Sequence, residues 1–152
     1  ELLNVVDETE GKVIIWANWV HSLEMVIREL KKKYGDESVV AIYGDIPSKD
    51  REQAVEKFQN NADVRFFVSN PQTGGYGLTL TEANTVIYFS NNYDLEQRQQ
   101  SEDRAHRIGQ NNKVLYIDLV AEKTIDEFVI KALNLKIKLS AETLGEEVLA
   151  FL

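Results

Sequence analysis

Residues 97–110 read QRQQSEDRAHRIGQ, placing three arginines and a histidine in a chain whose formal net charge is -8. Asp94, with Gln97 three residues on, has N-cap and N3 character, so the pattern predicts a helix from about Leu95 to His106. Only Leu95 and Ala105 are apolar within it, and the usual core-facing stripe at i, i+3, i+4 and i+7 is absent. Instead Gln100, Arg104 and Arg107 fall on one helical face at i, i+4 and i+7. A guanidinium stays charged, and its planar fork can hold two oxygens of a phosphate. The plain alternative is a solvated helix end whose arginines complement the macrodipole, worth on the order of tenths of a kcal/mol each. Arg98 falls on another face and, with Glu102 and Asp103, reads as ordinary surface.

Composition limits what such a segment can belong to. The chain has 152 residues, 43% of them hydrophobic, about one domain's worth with enough apolar mass for a core. It shows no apolar run of membrane-spanning length and no signal-peptide pattern, its first residues being acidic, which reads as a soluble protein without membrane contact. With no cysteine and two histidines far apart, His21 and His106, the expectation is no disulfide and no structural metal. A sequence pI near 4.8 argues against holding nucleic acid by net charge, so any phosphate-binding surface must be local.

The elements that must position the arginines are legible as short apolar runs: Val13 to Trp16, Val39 to Ile42, Val64 to Val68, Thr85 to Phe89 and Val114 to Val120. They are rich in β-branched and aromatic residues and mostly do not alternate, as in strands buried on both faces of a parallel sheet. Between the first two, Val20, Leu23, Ile27 and Leu30 form a helical stripe that stops at Gly35, after Lys31-Lys32-Lys33. Between the second and third, Ser48 is placed to cap a helix with Ala54, Val55 and Phe58 inward. Thr124 to Glu127 has the form of a capping box opening a helix whose apolar face is Ile125, Phe128, Val129, Ala132 and Leu133. A short helix from about Glu142 closes the chain. The strand-helix-strand alternation predicts an α/β fold.

Upstream of the arginines, Gly74, Gly75 and Gly77 stand between two predicted strands. A tight turn explains one glycine; three in four residues suit a loop where a ligand approaches the backbone. Two glycine-loop chemistries are absent: there is no GxGxxG with an acidic ribose reader, and Gly11-Lys12 lacks the rest of GxxxxGK[ST].

TGGYGLTLTEANTVIYF, then QRQQSEDRAHRIGQ, then VLYIDLVAEKTIDEFV resembles the C-terminal RecA-like lobe of superfamily-two helicases, and specifically of the Swi/Snf-like DNA translocases. That lobe carries a Gly-Gly-x-Gly-Leu loop, a strand, and a helix ending Gln-x-x-x-Arg-x-His-Arg-Ile-Gly-Gln, matched here by Gln100, Arg104, His106, Arg107, Ile108, Gly109 and Gln110. Trp16-Ala17-Asn18-Trp19 stands where the family has aromatic-Ser-Gln-aromatic, and Gly44, Arg51 and Phe58 match a further family spacing. The resemblance runs from about residue 12 to about 139, giving a lobe over 1–139 and a helical extension over 140–152. The chain departs from the pattern at Ser90 to Leu95, where many members have Asp-x-x-Trp-Asn-Pro, and at Thr73 and Thr79. Those departures suggest a divergent prokaryotic or viral branch, cytoplasmic or nucleoid-associated.

The resemblance implies a RecA-like three-layer sandwich, a mostly parallel sheet flanked by helices, acting as the second motor lobe of a DNA-dependent ATPase of nucleoprotein-remodelling type. ATP and Mg2+ are then held mainly by an N-terminal RecA-like lobe of the same chain. Arg104 and Arg107 reach the triphosphate, where positive charge stabilises phosphoryl transfer, and Gln100, Gly75 and Gly77 line the nucleotide. DNA, expected to be duplex, is gripped through Asn18, Trp19, Gly44, Asn70, Thr73 and Gly74, largely by backbone N–H groups and small polar side chains. Trp19 fits a core position equally well, His106 reads as packed or solvated, and the three lysines read as a solvated helix end. The fragment by itself is expected to be inactive. An RNA helicase lobe and a stand-alone interaction domain are the competing readings.

Overall fold

The computed structural model describes residues 1–73, 77–110 and 113–144. Helix α1 (Leu2–Asp7) leads into β1 (Lys12–Trp16), α2 (Val20–Tyr34), a single 3-10 turn (Asp36–Ser38) and β2 (Val39–Ile42). Then follow α3 (Ser48–Asn60), β3 (Phe66–Ser69), β4 (Ala83–Tyr88), α4 (Leu95–Glu102), β5 (Leu115–Asp118) and α5 (Ile125–Leu144). The strands form one sheet in the order β2-β3-β1-β4-β5, every pair parallel. The expected α/β class is observed, with the sheet wholly parallel among the described residues.

Strand alternation divides the core between two faces. Val13 and Ile15 of β1 pack with Phe66, Val68 and Ile87 against Leu2 and Val6 of α1 and Leu23, Val26 and Leu30 of α2. Ile14 and Trp16 point the other way, into Phe67, Val86, Tyr88, Phe58 of α3 and Ala105. Both faces are covered, so the central strands read as apolar runs, as parallel sheets require.

Several local expectations shift. Helix α1 carries no expectation from the sequence, yet it closes one face: Arg65 donates to the carbonyls of Val6 (3.0 Å), Thr9 (2.6 Å) and Gly11 (3.1 Å), and Lys33 and Tyr34 both bond Asp7. Pro47, not Ser48, is the N-cap of α3, and Ser48 is already helical. The box at α5 is offset by one residue: Thr124 Oγ1 accepts from the Asp126 N–H (3.2 Å) and Glu127 accepts from the Lys123 N–H (2.8 Å). Only Val129 and Leu133 of its predicted face are buried, while Ile125 and Phe128 are exposed. Helix α5 continues unbroken to Leu144, so the separate helix expected from Glu142 does not begin there, and 145–152 lie outside the described residues. Among the described residues no helix is long and apolar enough to cross a membrane.

The largest change concerns α4. Asp94 caps it as expected, its side chain accepting from the Gln97 N–H at 3.0 Å. The helix then ends at Glu102 rather than His106. Tertiary pull explains this: Ala105 is drawn into the core, and the Arg104 carbonyl accepts from the Leu80 N–H at 3.0 Å. With no apolar stripe of its own, the segment gains more by breaking than by continuing.

Candidate functional site

Because α4 stops early, Gln100, Arg104 and Arg107 do not share a helical face. Arg104 and Arg107 lie instead in an irregular turn after the helix, while Gln100 stays on α4. Arg104 is buried, 7% exposed, and its Nε has no hydrogen-bond partner among the described residues. Burial pulls its guanidinium below the usual arginine range, and the charge of Arg107 adds to that, opposed by Asp103. A buried polar atom without a partner is rare enough to need a reason.

Arg107 is exposed and ties the turn to the segment after the glycine loop. Its Nη1 donates to the Gly77 carbonyl (3.0 Å) and the Thr79 hydroxyl (3.1 Å). Gly77 takes a positive φ of +66°, a conformation that favours glycine. Gln110 closes the turn, its Nε2 donating to the carbonyls of Thr81 (2.9 Å) and Ala83 (2.8 Å). Gln100 instead donates to Glu96 Oε1 at 3.0 Å and lines a groove with Pro71, Gln72, Asp94 and Gln97. His106 and Ile108 are exposed, and Gly74 and Gly75 lie outside the described residues.

A second polar group gathers at the carboxyl ends of the strands, where parallel α/β sheets bind ligands. Asn18, after β1, bonds Ser90 twice: its N–H meets the hydroxyl and its Nδ2 the carbonyl, each at 2.9 Å. Asn70, after β3, donates to the Asn18 carbonyl at 2.8 Å, and its own Oδ1 accepts from the Gln72 N–H at 2.8 Å. The Thr73 N–H reaches the Asn70 carbonyl at 3.1 Å. Asn18, Asn70 and Thr73 are thus linked in one chain of bonds. Trp19 is 70% exposed, which overturns its core alternative. Gly44 has φ +70° and open space where a Cβ would stand, so backbone conformation is what requires glycine there.

Arg98, read from sequence as ordinary surface, is instead held on every side. It takes both oxygens of Asp118 (Nη1 at 2.5 Å, Nη2 at 3.2 Å), Glu102 through Nε at 2.5 Å, and Asn91 at 2.8 Å. Its Cζ lies 3.5 Å from the centroid of the Tyr88 ring. Burial works against its charge, but the bond to Asp118 and the fields of Tyr88 and Asp118 outweigh it and push the pKa up. Burial likewise raises the Tyr88 phenol, whose oxygen meets Ser101 Oγ at 2.7 Å. The i, i+4 spacing of Arg98 and Glu102 is visible in the sequence; Asp118, twenty residues on, carries no local signal. Among the described residues no cluster of three His, Asp or Glu side chains is placed to hold a metal ion.

Known proteins resemble the chain in sequence and in fold. The model of the helicase conserved C-terminal domain matches residues 1–109. The chain is 32% identical over 142 residues to the ATP-dependent helicase fft2 of Schizosaccharomyces pombe, covering 91% of this chain and 11% of that protein. It is 33% identical over 137 residues to the mouse DNA annealing helicase and endonuclease ZRANB3, covering 88% of this chain and 12% of that protein. A solved structure, the C-terminal part of the Fun30 ATPase domain, superposes with a TM-score of 0.76 at 28% identity, over 84% of this chain and 40% of that one. The chain thus spans about a tenth of the length of the curated relatives it matches. The matched domain, the parallel sheet, the shared Fun30 fold and a 28% identity over 92% of this chain to a SWI/SNF-related regulator of chromatin of Danio rerio lead to one assignment: the chain belongs to the helicase C-terminal domain family, as the C-terminal RecA-like lobe of the Swi/Snf-like branch.

Proposed function

We propose that this lobe supplies Arg104 and Arg107 to an ATP held on an N-terminal RecA-like lobe of the same protein, and grips DNA along the carboxyl edge of its sheet. The observation that carries the reading is the Arg104-to-Arg107 turn: one guanidinium is buried, its Nε unpartnered among the described residues, and burial and then the charge of Arg107 lower its pKa. Two like charges held together in a part-buried turn are costly by themselves, and an arriving polyanion removes that cost. As water attacks the γ-phosphate, charge spreads over the phosphoryl oxygens, and a guanidinium pair stabilises it. Arg107 gives up its contacts to Gly77 and Thr79 to do so, which links nucleotide engagement to the loop that precedes β4. Gln100 and the loop glycines Gly75 and Gly77 border the same nucleotide. Mg2+ belongs to the other lobe, which supplies the phosphate-binding loop and the acidic metal ligands.

The linked set of Asn18, Asn70 and Thr73, with exposed Trp19 and Gly44 and with Gly74, which lies outside the described residues, is our candidate DNA surface. It is neutral, which suits backbone contact in a protein of net charge -8. The names of the matched helicases support ATP use and DNA as the track. The departures at residues 90–95 keep a prokaryotic or viral branch, with cytoplasmic placement, part of the proposal. The test is ATP turnover by the lobe alone and joined to its N-terminal partner, with duplex DNA or RNA added. We expect none from the lobe alone and DNA-stimulated turnover from the pair. Turnover by the isolated lobe contradicts the division of labour, and stimulation by RNA rather than duplex DNA contradicts the track.

A further inference from the structure

The cluster around Arg98 has no part in the reading above, yet it joins three elements where the arginine-bearing turn begins. Arg98 lies in α4, Asp118 ends β5, Tyr88 ends β4, and Glu102 is the last residue of α4. Glu102 is bound twice over. Its carboxylate takes Arg98 Nε, and its carbonyl accepts from the N–H groups of Ala105 and His106 and from the Tyr116 hydroxyl, each at 3.2 Å. Ser101 repeats the arrangement one residue earlier. Its hydroxyl donates to the Arg98 carbonyl (2.7 Å) and meets the Tyr88 hydroxyl, while its carbonyl accepts from the Arg104 N–H at 3.4 Å. A continuous set of bonded groups therefore runs from Asp118, through Arg98, into the backbone of residues 104–106, directly before Arg107.

The residue type matters as much as the charge. Nε, Nη1 and Nη2 are all engaged, and the flat face of the guanidinium lies on Tyr88. A lysine can supply one point charge but neither the fork nor the stacking plane. We propose that Arg98, clamped by Asp118 and Glu102 over Tyr88, is a positioning residue that sets the 103–107 turn and thereby aims Arg107. The proposal rests on the arginine-finger reading, and Arg98 touches no nucleotide itself.

The test uses the lobe joined to its N-terminal partner, with duplex DNA and saturating ATP. Arg98→Lys is measured in the parent and in the Arg107→Ala background. In the parent, kcat should fall by about 10- to 100-fold with KM for ATP unchanged, because small misplacements of a catalytic group cost that much. In the Arg107→Ala background the same change should cost far less, leaving only the share that passes through Arg104, since groups acting as a unit are not additive. Thermal stability should fall equally in both backgrounds, so a merely structural role cannot mimic the kinetic pattern. Asp118→Asn is read in the same way if Arg98→Lys does not fold. An equal loss of kcat in both backgrounds, or no loss in either, overturns the positioning role. Parental turnover by Arg107→Ala overturns the finger reading instead, so the two failures are distinguishable.

Discussion

Arg98 and Arg104 stand six residues apart in one segment, both withdrawn from solvent, and their surroundings are opposite. Arg98 meets two carboxylates, an amide and an aromatic face, and its charged form is held more firmly than in water. Arg104 has an Nε without a partner among the described residues and an arginine neighbour, and its charged form is held less firmly. A cation whose bonds are complete belongs to the architecture; on our proposal, one whose bonds are incomplete is poised for the triphosphate. The difference follows from where α4 ends, since Arg98 lies inside the helix, facing β5, and Arg104 beyond it.

The contrast can be broken by replacing each guanidinium with an unbranched apolar chain in the isolated lobe. Arg98→Met leaves Asp118 and Glu102 part-buried without their cation and should cost about 3 kcal/mol, lowering Tm by roughly 10 °C. Arg104→Met removes an already unsatisfied group and should stay within about 1 kcal/mol of the parent. Calorimetry of the two variants checks the order; equal losses mean that Arg104 is as structural as Arg98. The smallest effect is expected at the Asp7 latch on α1. Hydrogen bonds from Lys33 and then Tyr34 hold the Asp7 carboxyl below its ordinary 3.8, so its contribution is present above that value and lost as pH falls through the lowered pKa. The bond to Asp7 raises Lys33 above its ordinary 10.5, so its contribution is present below that value and lost as pH rises through the raised pKa. Thermal melts of Asp7→Asn should therefore lie slightly below the parent across the neutral range and converge with it at both extremes. A gap that persists in acid contradicts the latch.

Much of the frame was legible because it rests on local patterns. The runs at Val13, Val39 and Thr85 became strands, Gly35 stopped α2 with φ +96°, and Asp94 capped α4. Long-range forces decided the rest. Nothing near Glu102 announces that Leu80 will take the Arg104 carbonyl, so the helical wheel joining Gln100 to both arginines failed although the two arginines still share a turn. Nothing near Arg98 announces Asp118, so a clamped cation read as surface. Helix α1 was missed because six residues give too short a period to stand out, and its stability comes from Arg65 and the core. For the candidate site, residue types were readable in the sequence, and their satisfaction or lack of it was not.

The central claim is that this lobe completes an ATP site on another. It is tested most directly by Arg107→Ala in the lobe joined to its N-terminal partner, measuring ATP binding and DNA-stimulated turnover on the same sample. The account predicts retained nucleotide binding with turnover lowered by roughly 10³ to 10⁵. Turnover equal to the parent would contradict it.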